Sequence, residues 1–167
     1  MSDQERYDQL LADPHTVEAW LCANLDSINP QDPEAFVLRR YTINGDPLPI
    51  TRTSEPGGQT YTVHPSATTI PTGQLYTVSY EYTTLIATGQ HGIHLDIDTI
   101  THRLTVDFTA TDPTISHIDP MLNFPGYHHT RPHYNTTTPN NPTSLTATMD
   151  GWIMPITTIG FIWTHGP

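Results

Sequence analysis

The residues best able to do chemistry in this chain are imidazoles and carboxylates set two or three positions apart. Ten histidines occur in 167 residues, and His91, His94 and Asp96 fall close together, with His102 and Asp107 shortly after them. Imidazole nitrogen and carboxylate oxygen suit zinc or another divalent metal, so a metal centre is one reading. The other is the solvated outer face of a strand pair, on which the same groups already partner one another. The strand pattern favours the second, and the sequence predicts neither a stoichiometric metal nor a cofactor. A second cluster is Tyr127-His128-His129-Thr130-Arg131-Pro132-His133. Pro132 opposes a helix there, so the H-x-x-x-H spacing does not bring two imidazoles onto one helical face. A long polar loop on a β scaffold is a usual carrier of recognition, which makes this stretch a candidate ligand lid. The candidate ligand-binding set is therefore His91, His94, Asp96, Tyr127, His128, His129 and His133. No catalytic residue is assigned.

Much chemistry is excluded by composition. The formal charge is −11, from 17 acidic residues against six arginines, and lysine is absent. A phosphate-tracking surface needs clustered cations, so binding of nucleic acid by this chain alone, or of an anionic membrane surface, is disfavoured. Without lysine there is no Schiff base and no phosphate-binding P-loop. No G-x-S-x-G nucleophile elbow is present. Cys22 is the sole cysteine, so an intrachain disulfide is impossible. No apolar run is long enough to span a bilayer as a helix, and the expected location is cytoplasmic.

The elements that must position these groups are mostly strands. The 29 threonines and 16 prolines point to a chain of strands and turns with little helix. Leu75 to Ile86 alternates, with Tyr76, Val78, Tyr80 and Tyr82 on one parity and Thr77, Ser79, Glu81 and Thr83 on the other. Ile93, Leu95 and Ile97 then share a face opposite His94, Asp96 and Asp98, and Leu104, Val106 and Phe108 share one opposite Arg103, Thr105 and Asp107. A loop over Thr99 to His102 predicts a hairpin that sets Asp98 against Arg103, Ile97 against Leu104, Leu95 against Val106 and His94 against Asp107.

Elsewhere, Phe36 to Ile43 reads as a strand ending in the hairpin turn Asn44-Gly45. Pro47 and Pro49 make the return strand an edge or an irregular one. Thr60 to His64, Ile115 to Ile118, Leu145 to Met149 and Ile159 to Trp163 are further strands, and Asp119 to Pro142 reads as irregular. Residues 1–34 hold eight of the 17 acidic residues and read as a helical segment: a short helix over Asp3 to Ala12, and a second opened by Asp13-Pro14 with Val17, Trp20, Leu21 and Leu25 on one face. The expected organisation is an N-terminal helical segment, 1–34, followed by a β domain, 35–167. The expected fold is mainly β, an antiparallel β-sandwich, with a barrel as the second choice.

Several runs carry a resemblance: Arg40-Tyr41-Thr42-Ile43-Asn44-Gly45, Gly57-Gly58-Gln59-Thr60-Tyr61-Thr62-Val63, Val78-Ser79-Tyr80-Glu81-Tyr82 and His91-Gly92-Ile93-His94-Leu95-Asp96. Asp150-Gly151-Trp152-Ile153-Met154-Pro155 and Gly160-Phe161-Ile162-Trp163 are its most specific parts. Phe36 to Trp163 resembles the β-rich region C-terminal to the DNA-binding domain in some actinobacterial helix-turn-helix (Cro-type) regulators. The resemblance implies a sensing or interaction module and assigns no catalytic residue. Residues 1–34 depart from the pattern, being too short and too acidic for a DNA-binding helix-turn-helix domain.

Three functions are compatible with these observations. The first is a non-enzymatic module, regulatory or sensory, that binds a small ligand or a protein partner. The alternative is a small β-barrel or cupin-like enzyme using the histidine cluster with a divalent metal. The third is an assembly protein, a homo-oligomer included, with Trp20 and its neighbours as the contact.

Overall fold

The structure is a computed structural model and describes residues 4–13, 28–55, 57–64, 73–87, 89–97, 99–123, 133–137 and 143–166. The chain is mainly β, an antiparallel, sandwich-like arrangement of sheets that do not close into a barrel, with a short N-terminal helix. Two compact units are present, Met1–Gly89 and Gln90–Pro167.

The first unit opens with α1, Gln4–Leu11, where Gln, Glu, Arg and Leu are good helix formers and Glu5 sits at the positive end of the helix dipole. Eight residues are marginal as a free helix; the Arg6 guanidinium, hydrogen-bonded to the Glu55 carboxylate, ties this one to the strands. The second predicted helix falls mostly on residues 14–27, outside the described residues. Strands β1 (Phe36–Ile43), β2 (Asp46–Pro47) and β5 (Val78–Thr84) form an antiparallel sheet in the order β2-β1-β5. Asn44 and Gly45, at φ 52° and 89°, form the left-handed two-residue turn expected of Asn-Gly. Pro47 ends the return strand after two residues, at the sheet edge as its missing N–H requires. Strands β3 (Ile50–Glu55) and β4 (Gly58–Val63) form a hairpin. The Tyr61 hydroxyl donates to the Phe36 carbonyl at 2.6 Å, joining hairpin to sheet. Phe36 stacks on Tyr82 at 5.0 Å.

The second unit is two three-stranded antiparallel sheets. One is β7 (Thr101–Thr109), β10 (Ser144–Ile153) and β9 (His133–Thr137), in the order β7-β10-β9. The other is β6 (Gly92–Ile97), β11 (Thr157–His165) and β8 (Ile115–Asn123), in the order β6-β11-β8. The central strands supply the core. Leu145, Ala147, Met149 and Ile153 of β10 are buried, as are Ile159, Phe161 and Trp163 of β11. Burial alternates along β10 from Ser144 to Met149, before its bulge, and along β11 from Thr157 to Thr164 apart from the buried Gly160, as expected of strands with one wet face. Phe108 bridges the sheets, its ring parallel to that of Phe161 at 4.8 Å and to that of Trp163 at 6.0 Å.

Two sequence expectations are corrected here. The hairpin between β6 and β7 does not form, because the two strands lie in different sheets. His94 faces Gly160 and Asp96 faces Thr158 on β11, while Asp107 faces Thr146 on β10. The inward and outward assignments survive, since β11 offers the same parity: Ile93 meets Phe161 and Leu95 meets Ile159. The few residues from Ile97 to Thr101 suffice to cross the roughly 10 Å between packed sheets. The stretch from Asp119 to Pro142 is also not wholly irregular. β8 runs on to Asn123 through Pro120, and Thr-rich β9 pairs with β10.

The turn from β10 to β11 holds Ile156 at φ 72°, a conformation costly for a β-branched residue. Its side chain is exposed, while its N–H donates to the Ile97 carbonyl at 2.9 Å. Ile156→Gly keeps that bond and removes the Cβ clash. It is expected to stabilise the protein by about 1 kcal/mol, read as a higher urea midpoint at unchanged slope.

Candidate functional site

The outer face of the β6-β11-β8 sheet carries two His–Asp pairs, His94 with Asp96 and His117 with Asp119. β6 contributes Gly92, His94 and Asp96, and β8 contributes His117, Asp119, Met121 and Asn123. Between them β11 presents Thr158, Gly160, Ile162 and Thr164. Register fixes the rows: His94, Gly160 and Met121 lie side by side, as do Asp96, Thr158 and Asn123, and Gly92, Ile162 and Asp119. An open hollow of about 320 Å³ lies here, lined by His91, Gly92, Ile93, His94, Met121, Phe161 and Ile162. Met121 and Ile162 are exposed, an apolar pair on an otherwise polar face. At Gly92 a Cβ would stand 3.2 Å from the Phe161 carbonyl oxygen, so the close approach of strand to strand there favours glycine.

Of the seven predicted site residues, the structure brings three together. His94 and Asp96 stand two apart on β6, with Nε2 to Oδ2 3.8 Å and both side chains largely in water. Asp96 also accepts from the Thr158 hydroxyl at 2.7 Å, which orients its carboxylate across the face. His91 precedes β6; its carbonyl accepts from the Trp163 N–H and its ring meets that of His165 edge-on at 5.5 Å. His133 begins β9 in the other sheet, opposite Asp150. Tyr127, His128 and His129 lie outside the described residues. His102 also belongs to the other sheet, against Trp152 at 4.9 Å between ring centres, and Asp107 accepts from the Thr146 hydroxyl at 2.6 Å. The cluster read across a hairpin is therefore divided between two sheets.

One pair was missed from the sequence. His117 Nε2 lies 3.1 Å from Asp119 Oδ1 on β8, on the same face as His94 and Asp96. The signal was present: His117-Ile118-Asp119 repeats the pattern of His94-Leu95-Asp96. The two pairs flank β11 on opposite edge strands. Among the described residues no group of three or more His, Cys, Asp or Glu side chains is placed to hold a metal ion.

A hydrogen-bonded chain ends at His165, whose ring meets that of His91. Asp112 accepts from the Thr114 N–H at 2.8 Å and from its hydroxyl at 2.7 Å. The Thr114 oxygen meets His165 Nδ1 at 2.8 Å. The two Thr114 bonds, backbone first, hold the Asp112 carboxyl below the usual aspartate range, with His165 adding a smaller pull. A lowered folded pKa means stability that is present above the unfolded value and is lost as pH falls through the folded one. Asp112→Asn is therefore expected to flatten the acid limb of the stability–pH curve, checked by urea unfolding at neutral and strongly acidic pH. A limb of unchanged steepness would remove Asp112 from the account.

Among the described residues no helix is long and apolar enough to cross a membrane. No protein family, curated protein or solved structure matches the chain.

Proposed function

We propose that the chain is a non-enzymatic binding module, regulatory or sensory in role, whose ligand surface is the outer face of the β6-β11-β8 sheet. The observation that carries this reading is the hollow, which the exposed Met121 and Ile162 line together with His91 and His94. Apolar floor and convergent polar rim are the usual make-up of a recognition site. The hollow is open to solvent, and an open site cannot exclude water from a reaction. Its ligand is a small molecule, or a partner side chain, with a flat apolar body and a group that hydrogen-bonds imidazole. The resemblance to regulator β regions supports a role in regulation.

An NMR titration with a library of small aromatic and heteroaromatic acids and amides tests it. Amide shifts should concentrate at His91 to His94, Met121 and Ile162, and an Ile162→Glu variant should lose them by about tenfold in affinity. Shifts that cluster elsewhere, or that survive Ile162→Glu, overturn the assignment.

A further inference from the structure

The two edges of the β6-β11-β8 sheet differ in a way that points to a partner. The Trp163 N–H donates to the His91 carbonyl at 3.0 Å, and the register pairs Ile93 with Phe161 and Leu95 with Ile159. Odd-numbered residues of β6 thus bond to β11, and Gly92, His94 and Asp96 turn their N–H and C=O groups away from it. The Gly92 carbonyl accordingly accepts from the Gln90 side chain at 2.7 Å rather than from a strand. Among the described residues β6 pairs with β11 alone.

The same alternation applied to β8 has the opposite result. Even-numbered residues of β11 address β8, so Pro120, opposite Phe161, directs its nitrogen to the outer edge. That edge lacks a donor at its middle and is closed to strand addition. The β6 edge has no proline, and its inward side chains Ile93 and Leu95 are only half-buried. A further strand would cover both.

The sequence of β6 also complements itself. Pair it antiparallel with a second copy about a two-fold axis at Leu95. Leu95 then meets Leu95, Ile93 meets Ile97, and His94 meets Asp96 twice. The bond alternation is obeyed, because the outward-directed residues 94 and 96 face each other as hydrogen-bonded pairs. The neighbouring registers that obey it are worse. An axis at His94 sets imidazole on imidazole, and one at Asp96 sets carboxylate on carboxylate in a chain already carrying −11.

We propose that β6 is a homodimer interface, with two copies joined antiparallel about Leu95 into one six-stranded sheet. The interface is isologous, as a two-fold requires. The second copy's Asp96 meets His94 on the wet face, while Thr158 holds the chain's own Asp96 in place from β11. This inference does not depend on the hollow binding anything.

Sedimentation equilibrium over a concentration series tests it with three variants. The wild-type chain should dimerise reversibly. His94→Pro removes only the outward N–H of β6 and leaves the ladder to β11 intact, so it should be monomeric with unchanged far-ultraviolet circular dichroism. His94→Asp sets like charges against each other twice and should weaken the dimer by about tenfold. His94→Asp combined with Asp96→His exchanges the charges and should restore it to within about threefold. A wild-type chain that stays monomeric at millimolar concentration overturns the proposal, as does a His94→Pro chain that is folded and still dimeric. A double variant as weak as His94→Asp overturns the register. Should His94→Pro fail to fold, the two charge variants, at a side chain 64% exposed, decide alone.

Discussion

Phe161→Ala is expected to lower the unfolding free energy by about 3–5 kcal/mol, a large share of the roughly 5–15 kcal/mol typical of a domain. Phe161 lies at the middle of β11, only 3% exposed, between Ile93 on one side and Pro120 on the other. Its ring stacks on Phe108 of the opposite sheet at 4.8 Å with the planes 9° apart, so deleting it opens a void between the sheets. Phe108 and Trp163 cannot both fill that void, since each is already packed on the other at 6.0 Å. The adjacent residue is the control. Ile162 points to the opposite face and is 43% exposed, so Ile162→Ala should cost about 0.5 kcal/mol or less. Urea unfolding followed by tryptophan fluorescence measures both. Equal losses at the two positions would mean that β11 does not present one dry face and one wet face.

That alternation was legible in the sequence, and so were the Asn44-Gly45 turn, the short edge strand ended by Pro47 and the mainly antiparallel β fold. What could not be read was which strand lies beside which. Ile93, Leu95 and Ile97 match Leu104 and Val106 in parity, and they match Thr157, Ile159 and Phe161 equally well. Period two specifies a face and says nothing of a neighbour, so proximity in the chain favours β7 as the partner of β6, whereas the more distant β11 takes that place. The candidate site shared this fate. His94 and Asp96 were placed correctly on an outer face, but their row is completed by Gly160, Thr158, Met121 and Asn123, which come from strands more than twenty residues away. The hollow arises where Gly92 and Gly160 supply no side chain and Met121 and Ile162 do, an outcome visible only once the register is known.

The second large effect concerns the two units taken separately. Residues 90–167 expressed alone are expected to fold, and residues 1–89 alone are not. Among the described residues, all four strands that border β10 and β11 lie inside 90–167: β6 and β8 pair with β11, and β7 and β9 with β10. Of the 13 buried apolar residues among those described, eleven belong to this unit, with Met149, Ile153 and Ile159 at 0% exposure. In 1–89 the buried apolar residues among those described are Ala35 and Ala87, which remove little apolar surface from water. Its larger rings are only half-buried: Phe36 stacks on Tyr82 and meets Tyr61 edge-on. Ordering a residue costs roughly 1–2 kcal/mol of backbone entropy, which the half-buried rings among the described residues do not offset. At roughly 0.05–0.15 kcal/mol per residue, the 90–167 fragment should hold about 4–12 kcal/mol. The expected readings are a dispersed amide spectrum and one cooperative urea transition for 90–167, against a collapsed spectrum and a broad, non-cooperative transition for 1–89. A folded 1–89 fragment beside an unfolded 90–167 would show that burial of β10 and β11 is not what holds this protein together.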